Sequence, residues 1–339
     1  MAGKAIAQEG PTPPASPLHT AKAARRRNYA DWLRDFPARS AFWVTRLGPV
    51  SRMLASRYRR AVASHRRMVP TLSPGDRAIV EALDRDGIYI SSLDCLGLPD
   101  SRETVRIGQM LSAEFSAEAH RQAAAGVEFN MVPPERIVVN PRVFAWGLSD
   151  RLLDIAEAYL GMPAAYDGMQ IIYTVADGRE VSTRRWHRDW EDRKMLKIAI
   201  YLNDVDADGG PFEAVRGPRR TDEDGFAYDL MSDDDLRRTF GEEFAERVTS
   251  CTGRAGTVLF VDTARQYHRG RPATGADRTA IFYSYFARRP RHPFFCERSG
   301  LSRQQIERLA RHLPPRQRAA ALWRRGLPGW LRMIPSARV

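Results

Sequence analysis

The sequence predicts a mainly β core with helices packed outside it. Short strands with Gly and Pro between them dominate from Ala165 onward, which is typical of a β-sandwich or a jelly-roll barrel. Amphipathic patterns on both sides of this region predict helices. With 339 residues, 43% of them hydrophobic, the chain is long enough for one large domain with extensions or for two small domains.

The charge is distributed unevenly along the chain. Residues 1–69 contain 14 Lys and Arg against 3 Asp and Glu, and residues 287–339 contain 13 against 2. The part between them is acidic, with 26 against 36. An acidic middle part argues against a basic nucleic-acid groove across it, whereas the two basic arms suit contact with an acidic surface.

These patterns predict four segments. A disordered basic N-terminus covers residues 1–28, and a basic amphipathic extension of two short helices, broken near Gly48-Pro49, covers residues 29–72. The domain itself spans residues 73–291. A basic helical C-terminal extension follows over residues 292–339.

Within the domain, local signals predict helices first and strands later. Ser73 and Pro74 begin a helix that Gly87 ends, a strand follows at 88–90, and further helices span about 103–124 and 149–161. An acidic helical insert is predicted between residues 232 and 247. The later strands are predicted at residues 169–174 and 197–202, and a turn at 209–212 leads into 213–215. The run 253–262 precedes His268, and Arg278 opens the run 279–286.

A possible metal site comes from two separated motifs. His187 and Asp189 are two residues apart, so on a strand both side chains point to the same face. His268, far downstream, would complete a 2-His-1-carboxylate triad of the kind that holds Fe(II) in non-heme oxygenases. The alternatives are an ordinary surface strand or an inactive relative that keeps the barrel without the metal.

Ten residues after His268, Arg278 opens the last predicted strand. Alternation places Arg278, Ala280, Phe282 and Ser284 on one face. An arginine on a face with Phe and Ala suggests a buried cation, which requires an anionic partner, and a guanidinium suits the far carboxylate of a dicarboxylic co-substrate. The alternative is a surface salt bridge.

In order and spacing, these residues resemble the phytanoyl-CoA dioxygenase family of Fe(II)/2-oxoglutarate oxygenases, over roughly residues 75–290. The resemblance implies a double-stranded β-helix (jelly-roll, cupin-like) core. It implies Fe(II) held by His187, Asp189 and His268, with 2-oxoglutarate and O2 as co-substrates and Arg278 binding the far end of 2-oxoglutarate. The presence of Asp189 favours hydroxylation over halogenation.

This chain departs from the family pattern at two places. Where the family often has Gly-Ser-His-Arg, it has Gly217-Pro218-Arg219-Arg220. Where many members have Ser two residues past the distal His, it has Gly270.

Three further sets of residues are weaker candidates. The resemblance implies that the strand with Gln170 lines the co-substrate pocket, although an ordinary polar barrel residue is an equal alternative. Trp186, Trp190 and Phe282 are candidate walls of the substrate pocket, and core packing is the commoner use of Trp. Arginines near the triad (Arg184, Arg185 and Arg188) suit an anionic substrate or a solvated face.

The function that these patterns favour is hydroxylation of an aliphatic carbon of a small molecule, lipid-like or acidic. One alternative is a nucleic-acid or protein demethylase of the same chemistry. Another is a non-catalytic jelly roll whose basic arms bind an anionic membrane or a partner. The arms can equally pack on the acidic domain as a lid or an oligomer contact, and no pattern specifies an oligomeric state.

The sequence also favours a cytoplasmic location, with peripheral membrane contact as a further option. No apolar signal segment or membrane-spanning stretch is present. Its three cysteines (Cys95, Cys251 and Cys296) are widely spaced and are expected to be reduced thiols.

Overall fold

A computed structural model describes residues 29–217 and 229–337. The segment predicted to be disordered, 1–28, lies outside the described residues, as do Pro218-Arg219-Arg220 of the departing motif. All three cysteines are free thiols.

Two antiparallel sheets form the centre of the molecule. The larger has the strand order β1-β7-β4-β9-β3-β2, and the smaller has the order β6-β5-β8. The jelly-roll core predicted from the sequence is present. The strands are β1 (Ile88–Ser92), β2 (Asn130–Met131), β3 (Ala164–Thr174), β4 (Met195–Tyr201), β5 (Phe212–Val215), β6 (Val248–Cys251), β7 (Thr257–Val261), β8 (His268–Gly270) and β9 (Arg278–Ala287).

Alternation along the central strands separates two cores. Ile200 of β4 pairs with Ile281 of β9, and both belong to the outer core between the large sheet and the helices. The neighbouring Ala199 and Tyr201 face the other way and pack with Phe212 of the small sheet. Because side chains alternate between the faces of a strand, the inner face is free to enclose a cavity between the sheets.

Helices cover the outer face of the large sheet, and helices also form the N-terminal and C-terminal extensions. "Mainly β" therefore describes the core and not the whole molecule. The helices are α1 (Tyr29–Arg46), α2 (Gly48–His65), α3 (Pro74–Asp86), α4 (Leu93–Leu96), α5 (Ser101–Ala124), α6 (Pro134–Val138), α7 (Pro141–Trp146), α8 (Asp150–Leu160), α9 (Asp233–Phe240), α10 (Phe244–Arg247), α11 (Arg303–Leu309), α12 (Pro315–Ala321) and α13 (Gly329–Met333).

α3 begins and ends at the residues that the sequence predicts, Ser73 and Gly87. The Ser73 hydroxyl accepts a hydrogen bond from the Asp76 N–H, which satisfies one of the backbone donors left open at a helix start. Gly87 ends the helix with φ 77°, a left-handed conformation that glycine adopts without a steric penalty.

The N-terminal extension packs on the domain through one face of α1. Ala38 and Phe42 share a cluster with Phe294, Phe295 and Trp190. In α2, the Tyr58 ring lies 4.7 Å from the guanidinium carbon of Arg193. The break between the two helices falls at Leu47, next to the predicted Gly48-Pro49.

The C-terminal extension is also packed against the domain. The buried Trp323 meets Phe286 of β9 edge to face, with ring centroids 4.9 Å apart. Arg316 of α12 lies 2.7 Å from Asp154 and 3.2 Å from Glu157 of α8. The basic C-terminal arm thus contacts the acidic domain that it follows. Among the described residues, no helix combines the length and apolar character needed to span a bilayer.

Candidate metal centre

His187, Asp189 and His268 come together at one end of the inner cavity. Their potential ligand atoms all lie within 4.8 Å of one another, and all three residues are buried. The backbones of His187 and His268 exchange two hydrogen bonds of 3.0 Å, and the Asp189 N–H donates to the Thr263 carbonyl at 2.8 Å. Backbone bonds therefore fix the relative positions of all three side chains.

The local structure around His187 and Asp189 differs from the predicted strand. His187 forms only an isolated bridge to His268, and no regular strand runs through Asp189. The two side chains still converge, because the bridge and the Thr263 contact hold the irregular segment in place. The two-residue spacing identified the correct pair of residues, although the backbone that carries them is not a regular strand.

Both histidines have an unprotonated Nε2, the form of the ring nitrogen that coordinates a metal. His187 Nδ1 lies 2.8 Å from the Arg185 carbonyl oxygen, and His268 Nδ1 lies 3.1 Å from that of Gln266. A carbonyl oxygen only accepts, so each Nδ1 carries the proton and each Nε2 keeps its lone pair. Burial lowers the pKa of both rings, that of His268 to about 3, and both are therefore neutral near pH 7.

Asp189 supplies the anionic donor. Burial pushes its pKa up, but the charge of Lys197 lowers it further still, and the carboxylate is ionised. Lys197 Nζ lies 2.6 Å from Asp189 Oδ2, and His268 Nε2 lies 3.9 Å from the same oxygen. Two neutral imidazoles and one carboxylate fit a divalent first-row metal.

The triad faces a cavity of ≈ 500 Å³ between the sheets. Such a volume is typical of a small-molecule site. Side chains from both sheets and from the segments after β9 form its walls. They include Gln170, Thr174, Arg184, Lys197, Phe212, Arg278, Phe282, Ser284, Glu191, Glu297, Arg298 and Ala337.

Arg278 is buried in the cavity wall. Its guanidinium donates to the Gly210 carbonyl and, at 3.2 Å, to the Thr174 hydroxyl. No carboxylate of the described residues lies within ion-pair distance of it, and burial lowers its pKa. Phe282 and Ser284 line the cavity beside it, whereas Ile281 and Tyr283 face the outer core, so the predicted alternation is present.

Gly270 has a steric role that its sequence position did not reveal. A Cβ on this residue would lie 2.5 Å from Arg278 Nη2. The absence of a side chain here leaves room for the guanidinium. Gln170 also lines the cavity, and its amide donates to the Arg298 carbonyl at 2.5 Å.

The two tryptophans of the motif lie away from the cavity, in contrast to the sequence expectation. Trp186 is fully buried with Leu236 and Phe244, and its indole N–H donates to Asp233 at 2.6 Å. Trp190 stacks on Phe295 with ring centroids 4.2 Å apart. Trp186 precedes His187 and so points to the opposite side, and the Trp190 side chain packs under α1 although its neighbours Asp189 and Glu191 line the cavity.

Sequence reasoning missed a set of charged residues in the walls. Lys197 lies on the inner face of β4, which alternation with Ala199 and Tyr201 would have indicated. The buried Glu191 lies 2.9 Å from Arg298, and no local pattern predicts this pair. Arg184, for which the sequence offered contact with an anionic substrate or a solvated face, is buried and paired with Asp177.

Comparisons with known proteins give distant likenesses only. No family profile and no curated protein matches the chain. It is similar to the crystal structure of EctD from S. alaskensis with bound Fe (19% identity, 68% of this chain and 85% of that one, TM-score 0.43). It is also similar to HygX from Streptomyces hygroscopicus with nickel and 2-oxoglutarate bound (17%, 64% and 88%, TM-score 0.40). At these values the likeness alone assigns no reaction to this chain.

Proposed function

We propose that the protein is an Fe(II)- and 2-oxoglutarate-dependent dioxygenase that hydroxylates an aliphatic carbon of a small molecule. The observation that carries the proposal is the pairing of a buried His-Asp-His triad with a buried arginine in one cavity. His187, Asp189 and His268 would hold Fe(II) from one side and leave positions open for a co-substrate and O2.

Arg278 supports 2-oxoglutarate as the co-substrate. A buried guanidinium with only neutral hydrogen-bond partners is costly unless an anion joins it. The far carboxylate of 2-oxoglutarate is such an anion, and Thr174 stands beside the guanidinium as a further donor. Gln170 is a second proposed contact from the same wall.

When bound, iron and 2-oxoglutarate supply an oxidation in which O2, 2-oxoglutarate and a C–H bond give succinate, CO2 and a C–OH group. The chain's own residues orient the reactants and exclude water. Phe212 stacks against the His268 ring, with centroids 5.5 Å apart, and fixes its orientation. Phe282 adds an apolar wall near Arg278.

The cavity favours a small molecule over a nucleic acid. Its volume of ≈ 500 Å³ is in the range of ligand pockets. Asp167, Glu191 and Glu297 contribute carboxyl groups to the walls. Lys197 and Arg298 lie among them, so the walls carry both signs of charge and suit a polar or zwitterionic part of the substrate.

The first experiment is anaerobic visible spectroscopy of the purified protein as Fe(II) and then 2-oxoglutarate are added. We expect a charge-transfer band that is absent in His187→Ala and requires more 2-oxoglutarate in Arg278→Gln. Loss of one charge-assisted bidentate contact should weaken 2-oxoglutarate binding by about tenfold or more.

Two variants serve as matched controls. His312→Ala removes an exposed histidine, and Arg77→Gln removes an exposed arginine of α3, outside the cavity. Both should keep the band and the 2-oxoglutarate affinity. A wild-type protein without any band would contradict the proposal and leave a non-catalytic jelly roll.

A further inference from the structure

α1 exposes an apolar stripe on the face turned away from the domain. Leu33, Phe36, Trp43, Val44 and the following Leu47 are each exposed by 50% or more. At 100° per residue the four positions on α1 fall within an arc of about 100°, and Leu47 follows at the break before α2. Large side chains exposed together in one stripe indicate an interaction surface, whereas scattered ones do not.

The opposite face of the same helix is already occupied. Asp35 and Ala38 are buried, and the Phe42 ring packs within 5.5 Å of both Trp190 and Phe295. The stripe is therefore not the side by which α1 attaches to the domain. The stripe is a second apolar face. A helix that packs only on its own domain has one apolar face and carries polar residues on the other.

Arginines flank the stripe. On the helical wheel, Arg34 lies beyond one edge, and Arg39 and Arg46 lie beyond the other. On α2, Arg52, Arg57, Arg59 and Arg60 are exposed together with Met53. The two helices contain seven arginines against two aspartates.

We propose that this stripe and its arginines dock the protein on an anionic lipid surface. An apolar stripe with large side chains and basic edges is the pattern of a helix that lies in the membrane interface. A second copy of the chain fits less well as the partner, because it would bring two strongly basic α1–α2 segments together. Anionic headgroups neutralise the arginines while the stripe enters the acyl boundary.

Docking would place α1 between the lipid surface and the segment that carries the candidate metal ligands. Phe42 contacts Trp190, which directly follows the ligand Asp189 in the chain. Ala337 belongs to the cluster beneath α1 and also lines the cavity. If the proposed function holds, a membrane-resident amphiphile is the substrate class that this arrangement serves, but the docking itself does not depend on catalysis.

The test is co-sedimentation of the full-length protein with phosphatidylcholine vesicles, with and without phosphatidylserine. We expect binding that requires phosphatidylserine and weakens with salt. The triple variant Phe36→Ser/Trp43→Ser/Leu47→Ser should bind at least about tenfold more weakly. Each of Arg52→Gln, Arg59→Gln and Arg60→Gln should weaken binding by about fivefold.

Matched variants elsewhere on the surface control for composition. Val139→Ser/Met110→Ser removes exposed apolar side chains, 71% and 37% exposed, outside the arms. Arg77→Gln/Arg102→Gln removes exposed charges on α3 and α5. Both should bind vesicles like the wild type, and circular dichroism should show that every variant is folded.

Three results would overturn the proposal. One is a wild type that does not bind phosphatidylserine vesicles. Another is a stripe variant that binds as well as the wild type while deletion of residues 1–28 abolishes binding. The third is a wild-type dimer that the stripe variant converts to monomers without any vesicle binding, which would assign the stripe to a second copy of the chain.

Discussion

At the scale of single residues, the site depends on contacts behind the reactive groups. Carbonyl oxygens set the tautomers of His187 and His268, and Lys197 holds Asp189 in its charged form. None of these partners is part of the His-x-Asp motif. The motif identifies the candidate donor residues. The surrounding contacts give these residues the protonation states that metal binding requires.

The contact between Gly270 and Arg278 leads to the first prediction. In Gly270→Ala the new methyl group would meet Arg278 Nη2 at 2.5 Å, so the guanidinium must move. We expect 2-oxoglutarate binding to weaken by about tenfold while Fe(II) binding is retained, because a misplaced guanidinium loses its bidentate geometry. Titration of the anaerobic visible band measures both affinities.

Gly75→Ala is the control for this substitution, since a Cβ there meets nothing within 4 Å. It should leave both affinities unchanged. Unaltered 2-oxoglutarate binding in Gly270→Ala would show that Arg278 does not bind the co-substrate in the position seen here.

Asp167 gives a prediction about pH. Burial raises the pKa of this carboxyl to about 7, although it accepts N–H bonds from Arg298 and Glu297. The folded protein therefore keeps a proton that the unfolded chain loses near pH 4. Folding takes up that proton, so this residue's contribution to stability falls as pH rises from about 4 to about 7.

Asp167→Asn removes this titration. Between about pH 5 and about pH 7, the free energy of unfolding of the variant relative to the wild type should rise by about 2 kcal/mol. Urea unfolding of both proteins at the two pH values measures the difference. Asp94→Asn, at an exposed position, should follow the wild type, and parallel curves for Asp167→Asn would refute the assignment.

At the scale of elements, the C-terminal arm is held mainly by Trp323. Its ring is buried against Phe286 of β9. Trp323→Ala should lower the free energy of unfolding by about 3–5 kcal/mol, since a large cavity would remain. Denaturant unfolding in vesicle-free buffer measures this loss.

Trp330 provides the comparison on the same arm. It is 60% exposed, so Trp330→Ala should change the free energy of unfolding by no more than about 0.5 kcal/mol. Equal effects of the two substitutions would mean that the arm is not docked through Trp323.

Elements with strong local signals were predictable, and those set by distant contacts were not. Ser73 and Gly87 bound α3 as expected, and alternation in β9 correctly separated Arg278 and Phe282 from Ile281. The segment from His187 to Asp189 was predicted as a strand, yet its geometry comes from Thr263 and His268, which are far away in the chain. Trp186 was a candidate cavity wall, and only the position of α9 shows that its indole binds Asp233 instead.

At the scale of the whole molecule, metal and co-substrate binding should be coupled to stability. A ligand that binds only the folded state stabilises it by about 2.7 kcal/mol at a hundred times its dissociation constant. Mn(II) with 2-oxoglutarate should therefore raise the melting temperature of the wild type, and a chelator should reverse the rise.

The same measurement on Asp189→Ala tests the site of binding. This variant lacks the anionic donor of the triad and should show no rise, whereas Asp94→Ala should behave like the wild type. A rise that persists in Asp189→Ala would place the metal elsewhere on the protein.

The contact of Phe42 with Trp190 also bears on how the chain can be shortened. A cut at residue 72, where the sequence marks the start of the domain, would remove α1 and expose Trp190, His292 and Phe295 to water. Trp190 adjoins Asp189, so the loss would reach the candidate metal centre itself. The smallest fragment that retains an intact candidate site therefore includes α1, and the N-terminal extension belongs to the same packed unit as that site.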